Sequence, residues 1–474
     1  VAPSSREKSK KSPASKARQA SGEKVSERAV GAARARKAPA KDKSSARAVA
    51  GHKKLKVALL GFGTVGRSVA KLLCLDSHGP FVLTHIFNRN IEKKKVEGFP
   101  AHIRWTDDID KIISSDVDVV VELIGGIEPA GEWIRRALRA GKSVVSANKL
   151  LIAESGPQLV ELARQMGRRL EFGASVAGGI PAIIAIQEGL AGDRLHRIAG
   201  ILNGTCNYIL TKMESTGAGF DAALKQAQSL GFAEANPRDD VEGFDARAKL
   251  VILTQAGLRL QVKPAQIPCW PIFSVEAIDF LYARELRCSI RQISMAVKED
   301  TGDGFRLLAA VRPALVPLSS LVSHVQGSQN LVLASGEFAG QIALSGFGAG
   351  GDPTAVAVVS DLFSIARQAD SPQNGYLPMM ETPVSVSGDF TVPHYVRFVV
   401  KDRPGIVAEV AAVFSKYEIG IDALLQKPDY PRSALPFIMT LEACSSTLLG
   451  QALQEINSLD FHVQAPLCLP ILLT

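Results

Sequence analysis

Asp245 and Lys249 stand four residues apart in a stretch with helical periodicity, so both side chains lie on one face of a helix. An acid and an amine held together can pass a proton to a reacting oxygen, but the same spacing also makes an ordinary surface ion pair. Spacing leaves both readings open. Just upstream, Pro237 with Asp239 and Asp240 forms a turn and helix-start signal. A second lysine, Lys149, closes the segment Ser146-Ala147-Asn148-Lys149 at the end of the strand-like run Ser143 to Ser146. Loops at such strand ends line a ligand crevice. The third constellation is Gly61-Phe62-Gly63-Thr64-Val65-Gly66, set between an apolar run, Leu55 to Leu60, and a helix-like stretch, Arg67 to Leu73. In G-x-G-x-x-G the first glycine permits a tight turn and the second lets backbone approach a pyrophosphate. The third lets helix and strand pack closely, with the helix N-terminus toward the phosphates. All six residues are expected to bind a dinucleotide. At the end of the next strand, Phe81 to Phe87, an NAD-selective site places an acid for the ribose 2′-hydroxyl, whereas this chain reads Asn88-Arg89-Asn90. Arg89 suits a 2′-phosphate, which tilts the expectation to NADP and leaves use of NAD open.

The elements that must position these groups alternate. After Phe81 to Phe87 come a strand at Val117 to Leu123 ending in Gly125-Gly126, a helix from Ala130 to Ala140 and the strand Ser143 to Ser146. Alternation of this kind predicts an α/β protein with a doubly wound, parallel, Rossmann-type sheet. The last eighty residues follow another rhythm: strand Tyr395 to Val400, turn Asp402 to Gly405, helix Ile406 to Tyr417, strands Ile419 to Leu425 and Phe437 to Glu442, helix Ser446 to Leu459, strand Phe461 to Ala465. That is a βαββαβ module. The polar stretch Ser385 to Val392 before it is expected to be a hinge.

Composition divides the chain of 474 residues further. Residues 1–54 hold sixteen Lys and Arg against four Asp and Glu and lack Phe, Trp and Tyr, so they are expected to be a disordered basic tail. Its net charge of +12 leaves −4 for the rest, so the alkaline pI describes the tail. Such a run is expected to be solvated; nucleic-acid binding is the alternative. The tail lacks the apolar core of a secretory signal, and it is richer in lysine than an arginine-biased transit peptide usually is, which leaves organelle import open as the alternative. Six scattered cysteines without C-x-x-C spacing indicate neither a disulfide framework nor a zinc site, and no apolar run reaches a membrane span. A cytoplasmic protein is expected.

From Leu55 to the C-terminus the chain resembles homoserine dehydrogenases. The resemblance rests on five blocks in order: Gly61–Gly66, Ser146–Lys149, Ala174-Ser175-Val176-Ala177-Gly178-Gly179-Ile180-Pro181, Leu202-Asn203-Gly204-Thr205-Cys206-Asn207-Tyr208-Ile209-Leu210, and Gly231 to Lys249. It implies NAD(P)-dependent interconversion of L-aspartate 4-semialdehyde and L-homoserine, on the route to threonine, methionine and isoleucine. It also implies that Asp245 and Lys249 serve the reacting oxygen, with the lysine as proton donor in the reductive direction, and that Glu234 holds the substrate amine. The roles make chemical sense, because hydride delivery to an aldehyde leaves a developing alkoxide that needs a cation and a proton. Lys149 would polarise that oxygen or keep cofactor and substrate in register, and Asp240 would join Glu234 against the substrate ammonium. The helix after Gly348-Ala349-Gly350-Gly351 would return to complete the cofactor pocket with Gly351. The domains implied are 55–180 with 346–375 for the nucleotide, 181–345 for substrate and pairing of subunits into a homodimer or larger homo-oligomer, and 393–470 for regulation. In some members a sodium or similar ion sits at the positions of Gly173, Val176, Gly178 and Ile180, yet the family often has Glu where this chain has Gly173. Val399 to Ile406 resembles an ACT domain, with Gly405 at a ligand turn and threonine as the expected effector. A nonenzymatic amino-acid sensor with a nucleic-acid-binding tail is the competing reading.

Overall fold

The computed structural model describes residues 54–75, 79–94, 98–367 and 380–472; the expected tail, apart from Lys54, lies outside them. Three sheets organise these residues. The first is parallel, in the order β3-β2-β1-β4-β5-β6, built from β1 (Leu55–Leu60), β2 (Phe81–Phe87), β3 (Arg104–Thr106), β4 (Val119–Glu122), β5 (Ser143–Ser146) and β6 (Leu170–Glu171). Its two central strands carry apolar runs, Val57–Leu60 in β1 and Val119–Val121 in β4, because helices cover both faces. β1 pairs with β2 on one side and β4 on the other, so the chain reverses direction there and a crevice opens at the ends of β1 and β4.

The helix Gly351–Arg367 belongs to this layer, although it lies far along the chain. Ala355, Val358, Leu362 and Ile365 share one core with Val57 and Leu59 of β1 and Val69 and Ala70 of the first helix, Thr64–Leu75. A Cβ on Gly351 would lie 2.9 Å from Thr64 Cγ2, so glycine sets how closely the two helices approach.

The second sheet runs β11-β10-β7-β8-β9-β12. It comprises β7 (Leu195–Ile201), β8 (Cys288–Asp300), β9 (Phe305–Pro317), β10 (Gln329–Gly336), β11 (Gln341–Phe347) and β12 (Ser385–Ser387). Ala246, Leu250, Val251 and Leu253 of the helix Phe244–Leu253 join its core together with Ile198 of β7 and Ala296 of β8. The third sheet, order β14-β15-β13-β16, is antiparallel and holds β13 (Thr391–Val400), β14 (Ile421–Gln426), β15 (Leu435–Ser445) and β16 (His462–Pro470). Helices Ile406–Lys416 and Ser446–Asn457 cover one face and complete the βαββαβ pattern.

The expected hinge at Ser385 to Val392 is corrected. Ser385–Ser387 pairs in parallel with β9, and β13 begins at Thr391. Asp389 accepts from Ser445 Oγ at 2.7 Å and Thr447 N at 2.9 Å at the start of the helix Ser446–Asn457. Polar residues that cap a helix and form an edge strand resemble loop residues in composition.

Candidate functional site

The glycine loop sits at the sheet's reversal point. Gly61 has φ +106°, and a Cβ there would meet Leu123 O at 2.9 Å, just past the end of β4. Gly66 could carry no side chain either, since its Cβ would lie 2.3 Å from Gly61 O. Space beside Gly63 is open for 4 Å, which leaves backbone accessible to a ligand. Thr64 is exposed and Val65 half-buried. Phe62 departs from its expected role: its ring is fully buried edge-on against Trp105, centroids 4.8 Å apart, so only its backbone can face a cofactor. Arg89 is exposed in the turn after β2, where Asn90 N donates to Asn88 Oδ1.

Across the crevice, Asp245 is buried in the first turn of its helix and joins two ammonium groups. Lys249 Nζ lies 2.7 Å from Oδ2, and Lys149 Nζ lies 2.5 Å from Oδ1. The surface-pair alternative is thereby excluded. Burial by itself would raise the Asp245 carboxyl, but the two cations outweigh it and hold the group well below the usual carboxylate range. Burial also works against charge on Lys149, and Asp245 overcomes it, so Lys149 stays above an ordinary lysine. Lys249 Nζ also donates to Leu202 O at 2.8 Å, leaving one of its three N–H bonds for another partner. The Lys149 side chain is 41 % exposed and that of Lys249 10 %, so the two ammonium groups share a carboxylate but not an environment.

A hydrogen-bonded frame sets these positions. Glu122, fully buried at the end of β4, accepts from Ile124 N at 2.8 Å, Gly125 N at 3.1 Å and Ser146 Oγ at 2.7 Å. Asn148 caps the helix Lys149–Gln165, accepting from Leu151 N, while its amide donates to Gly126 O at 2.6 Å. Lys149 is therefore the first residue of a helix fixed to the sheet's edge. On the opposite side, Asn203 Nδ2 donates to Asp240 Oδ1 at 2.6 Å and Asp245 Oδ2 at 2.9 Å. Its Oδ1 accepts from Cys206 N at 2.8 Å, capping the helix Gly204–Thr216. Burial raises the Asp240 carboxyl, with Asn203 opposing. Glu234 stands exposed on the preceding loop; its backbone O accepts from Gln228, and no hydrogen bond or ion pair joins its carboxylate to the lysine pair. Sequence reasoning missed Asn203, Glu122, Ser146 and Asn148 as parts of the site. Asn203 and Asn148 lie in two of the blocks that carry the resemblance, but the only physical signal they carried was that of a helix cap, Asn followed by an apolar periodic stretch.

Cys206, the one cysteine inside these motifs, is wholly buried and donates to Asp240 O at 3.1 Å; burial pushes its thiol up, so it stays protonated. Val176 and Ile180 are buried, and Gly178 packs so closely that a Cβ would meet Gly348 C at 2.7 Å. Beside Gly173, Asp361 from the helix Gly351–Arg367 fills the place of a side chain: its Oδ1 would be 2.6 Å from a Cβ there, and its Oδ2 accepts from Ala174 N at 3.2 Å. Burial, then nearby Glu171, pushes its carboxyl up to about 8. Among the described residues no group of three His, Cys, Asp or Glu is placed to hold a metal, and no helix is long and apolar enough to cross a membrane.

A dinucleotide cradle facing a buried carboxylate between two lysines places the molecule among NAD(P)-dependent oxidoreductases. Family models agree: the homoserine dehydrogenase NAD-binding domain matches residues 61–173, the homoserine dehydrogenase domain 181–363 and the ACT domain 394–461. A homoserine dehydrogenase of Mycobacterium tuberculosis is 40 % identical over 419 residues, covering 85 % of this chain and 94 % of its own length. One from Bacillus subtilis is 34 % identical over 419 residues, covering 86 % and 96 %. A solved homoserine dehydrogenase from Thiobacillus denitrificans superposes with a TM-score of 0.81 at 32 % identity, over 89 % of this chain and 99 % of that one. A hyperthermophilic archaeal homoserine dehydrogenase solved in complex with NADPH gives 0.57 at 25 % identity, over 66 % and 98 %. The chain belongs to the homoserine dehydrogenase family, as an NAD(P)-dependent enzyme of aspartate-family amino-acid biosynthesis with a C-terminal ACT domain.

Proposed function

We propose that Lys249 gives the proton and Lys149 polarises the oxygen when L-aspartate 4-semialdehyde is reduced to L-homoserine. One observation carries this reading: Asp245 holds both ammonium groups, one on each carboxylate oxygen, at 2.7 and 2.5 Å. When bound, the reduced nicotinamide cofactor supplies hydride to the aldehyde carbon. Charge then develops on the substrate oxygen, to which Lys249 can offer the one N–H that Leu202 O and Asp245 leave over. Asp245 holds both ammonium groups in position, and Lys149, the more exposed, can approach the same oxygen. Asp240 and Glu234 are the acids for the substrate ammonium: Asp240 because burial disfavours its charge until a cation arrives, Glu234 from the exposed loop six residues earlier. Lys249→Ala is expected to lower kcat by roughly 10²–10⁴ with much smaller loss of cofactor affinity. Lys149→Ala should raise KM as well as lower kcat. Near wild-type kcat in Lys249→Ala would transfer the proton role to Lys149.

NADP is the preferred cofactor in this reading. The loop Gly61–Gly66, with Gly351 behind Thr64, would hold the pyrophosphate, and exposed Arg89 would meet the 2′-phosphate. The archaeal relative's complex with NADPH supports the choice. Arg89→Ala should weaken NADP binding far more than NAD binding; equal losses, measured by cofactor titration, would make Arg89 structural. At the Gly173 loop, backbone carbonyls at Gly173, Val176, Gly178 and Ile180 would hold sodium, on a loop that Asp361 already ties to the helix Gly351–Arg367 through Ala174 N. The ion would have no part in proton transfer. Pairing of two copies belongs to the same reading, since β11 and β14 are sheet edges carrying exposed Phe347, Ile421 and Leu424. So does a reducing, cytoplasmic setting, supported by six cysteines outside any disulfide. Threonine is the effector we assign to the ACT domain.

A further inference from the structure

Arg312 lies in the middle of β9, on a sheet face otherwise built of Ala310 and Ala314 beside it and Ile293 opposite it on β8. It is 8 % exposed. The Trp270 ring covers its guanidinium, 4.4 Å from ring centre to Cζ, and its buried Nε has no hydrogen-bond partner. Among the described residues no carboxylate forms an ion pair with it. The titratable groups around it are also neutral near pH 7: burial pushes the Cys468 thiol up to about 12, and burial with Arg312 itself pulls His394 down to about 4. Asp389, which faces His394, is engaged by Ser445 and Thr447.

A small cavity of about 10 Å³ is lined by Arg312 and by Ile293 opposite it. Met295 and Ala310 of the second sheet form one side, and Phe390, Pro470 and Leu472 of the C-terminal module form the other. A guanidinium cannot shed its proton, and a buried charge without a counter-charge is strongly unfavourable. We propose that this pocket binds a single monatomic anion, a halide, which Arg312 receives between the catalytic sheet and the ACT domain. Apolar walls favour a weakly hydrated, singly charged ligand over sulfate or phosphate, whose remaining oxygens would be buried without donors. An occupant would touch both domains. The residue after Ala310, Val311, also packs where Gly243 starts the catalytic helix: a Cβ on Gly243 would lie 3.1 Å from Val311 Cγ1.

The test is thermal unfolding of the full chain at constant ionic strength and constant sodium, with gluconate replaced stepwise by chloride, bromide or acetate. A saturable rise in Tm with chloride and bromide is expected, since a ligand bound only to the folded state stabilises by mass action. Acetate, whose second oxygen would lie among apolar walls without a donor, should raise Tm no more than gluconate does, and a rise equal to that with chloride would overturn the halide site. Arg312→Met should abolish the response and, in gluconate, be at least as stable as wild type, because it removes an uncompensated buried charge. Arg312→Lys keeps the charge without the planar fork and should retain a weaker response; it serves if the methionine variant fails to fold. The proposal is overturned if wild type shows no anion response, or if Arg312→Met or Arg312→Lys responds as wild type does. It is also overturned if stability depends on protein concentration and not on the anion, because a second copy would then supply the counter-charge.

Discussion

Asn203 does two jobs with one side chain. Its amide oxygen caps the helix Gly204–Thr216, and its amide nitrogen is shared between Asp240 and Asp245. The two jobs can be separated by substitution. Serine caps a helix about as well as asparagine but is too short to bridge both carboxylates. Asn203→Ser should therefore keep most of the stability, whereas Asn203→Ala should lose about 1 kcal/mol with the cap. Both should lower kcat by roughly 10–10², the effect of letting Asp245 and its lysines shift by fractions of an ångström. Steady-state kinetics beside urea unfolding checks this; full activity in Asn203→Ser would reduce Asn203 to a cap. Legibility in the sequence followed the range over which each signal acts. The glycines of Gly61–Gly66 were readable because what each does depends on its own backbone and the adjoining strand and helix. The Asp245–Lys249 pair was readable as a pair, since four residues of helix bring it together. Its burial was not readable from spacing, and neither was the contact with Lys149, which was legible as a crevice residue but reaches Asp245 only because the end of β5 and the helix Phe244–Leu253 meet across the crevice. Arg312 gave no signal, because a single arginine in a strand looks like a surface residue until both neighbouring layers are in place.

At the level of elements, β13 is tied to the helix Ala277–Glu285 by a buried polar network. Arg397 Nη1 donates to Asp279 Oδ2 at 3.0 Å, Tyr395 OH donates to Asp279 Oδ1 at 2.7 Å, and Arg397 Nη2 reaches Glu276 Oε1 at 3.0 Å. Asp279 is fully buried, and burial raises its carboxyl against the pull of Arg397. Removing one partner from such a pair typically costs about 3–5 kcal/mol, more than removing both adds beyond that, because the survivor is left as an unpaired buried charge. Arg397→Met should be severely destabilising, and Arg397→Met with Asp279→Asn should recover part of the loss. Additive losses in denaturant midpoints would mean the groups act independently. This network explains why the ACT domain is not hinged as its polar approach suggested. The βαββαβ alternation was readable from periodicity within the segment. Docking was not, since Tyr395, Ile438 and Leu469 have the same strand pattern whether they face their own helices or, as here, the core containing Ile290 and Leu315.

For the whole molecule, the contact between regulatory and catalytic parts decides how inhibition by threonine can be tested. Deleting residues 393–474 would strip the cover from Ile290 and Leu315, remove the bond from Leu472 N to Leu315 O and strand Asp279 without its cation. Loss of activity in that truncation would report unfolding, so the full chain must be kept. Gly405 offers a local alternative. It holds φ +99° at the start of the helix Ile406–Lys416, a left-handed conformation that valine adopts only with strain, and a Cβ there meets nothing nearer than Glu409 Oε1 at 3.7 Å. The effect of Gly405→Val would thus arise in the turn itself, next to a helix N-terminus where the proposed effector's carboxylate would sit. Threonine can inhibit only by binding a less active arrangement more tightly, typically by about 1–3 kcal/mol, or 5- to 150-fold. Two results are expected. Threonine should lower turnover of the full chain without being displaced by saturating homoserine, and Gly405→Val should blunt that inhibition when each protein is compared with its own uninhibited rate. Linkage adds a stricter requirement: the factor by which threonine weakens homoserine binding must equal the factor by which homoserine weakens threonine binding. Calorimetric titration of each ligand in the presence of the other measures both. If threonine competes directly with homoserine, or if Gly405→Val is inhibited as strongly as wild type, the effector site is not at this turn and the ACT domain serves as a brace on the catalytic sheet.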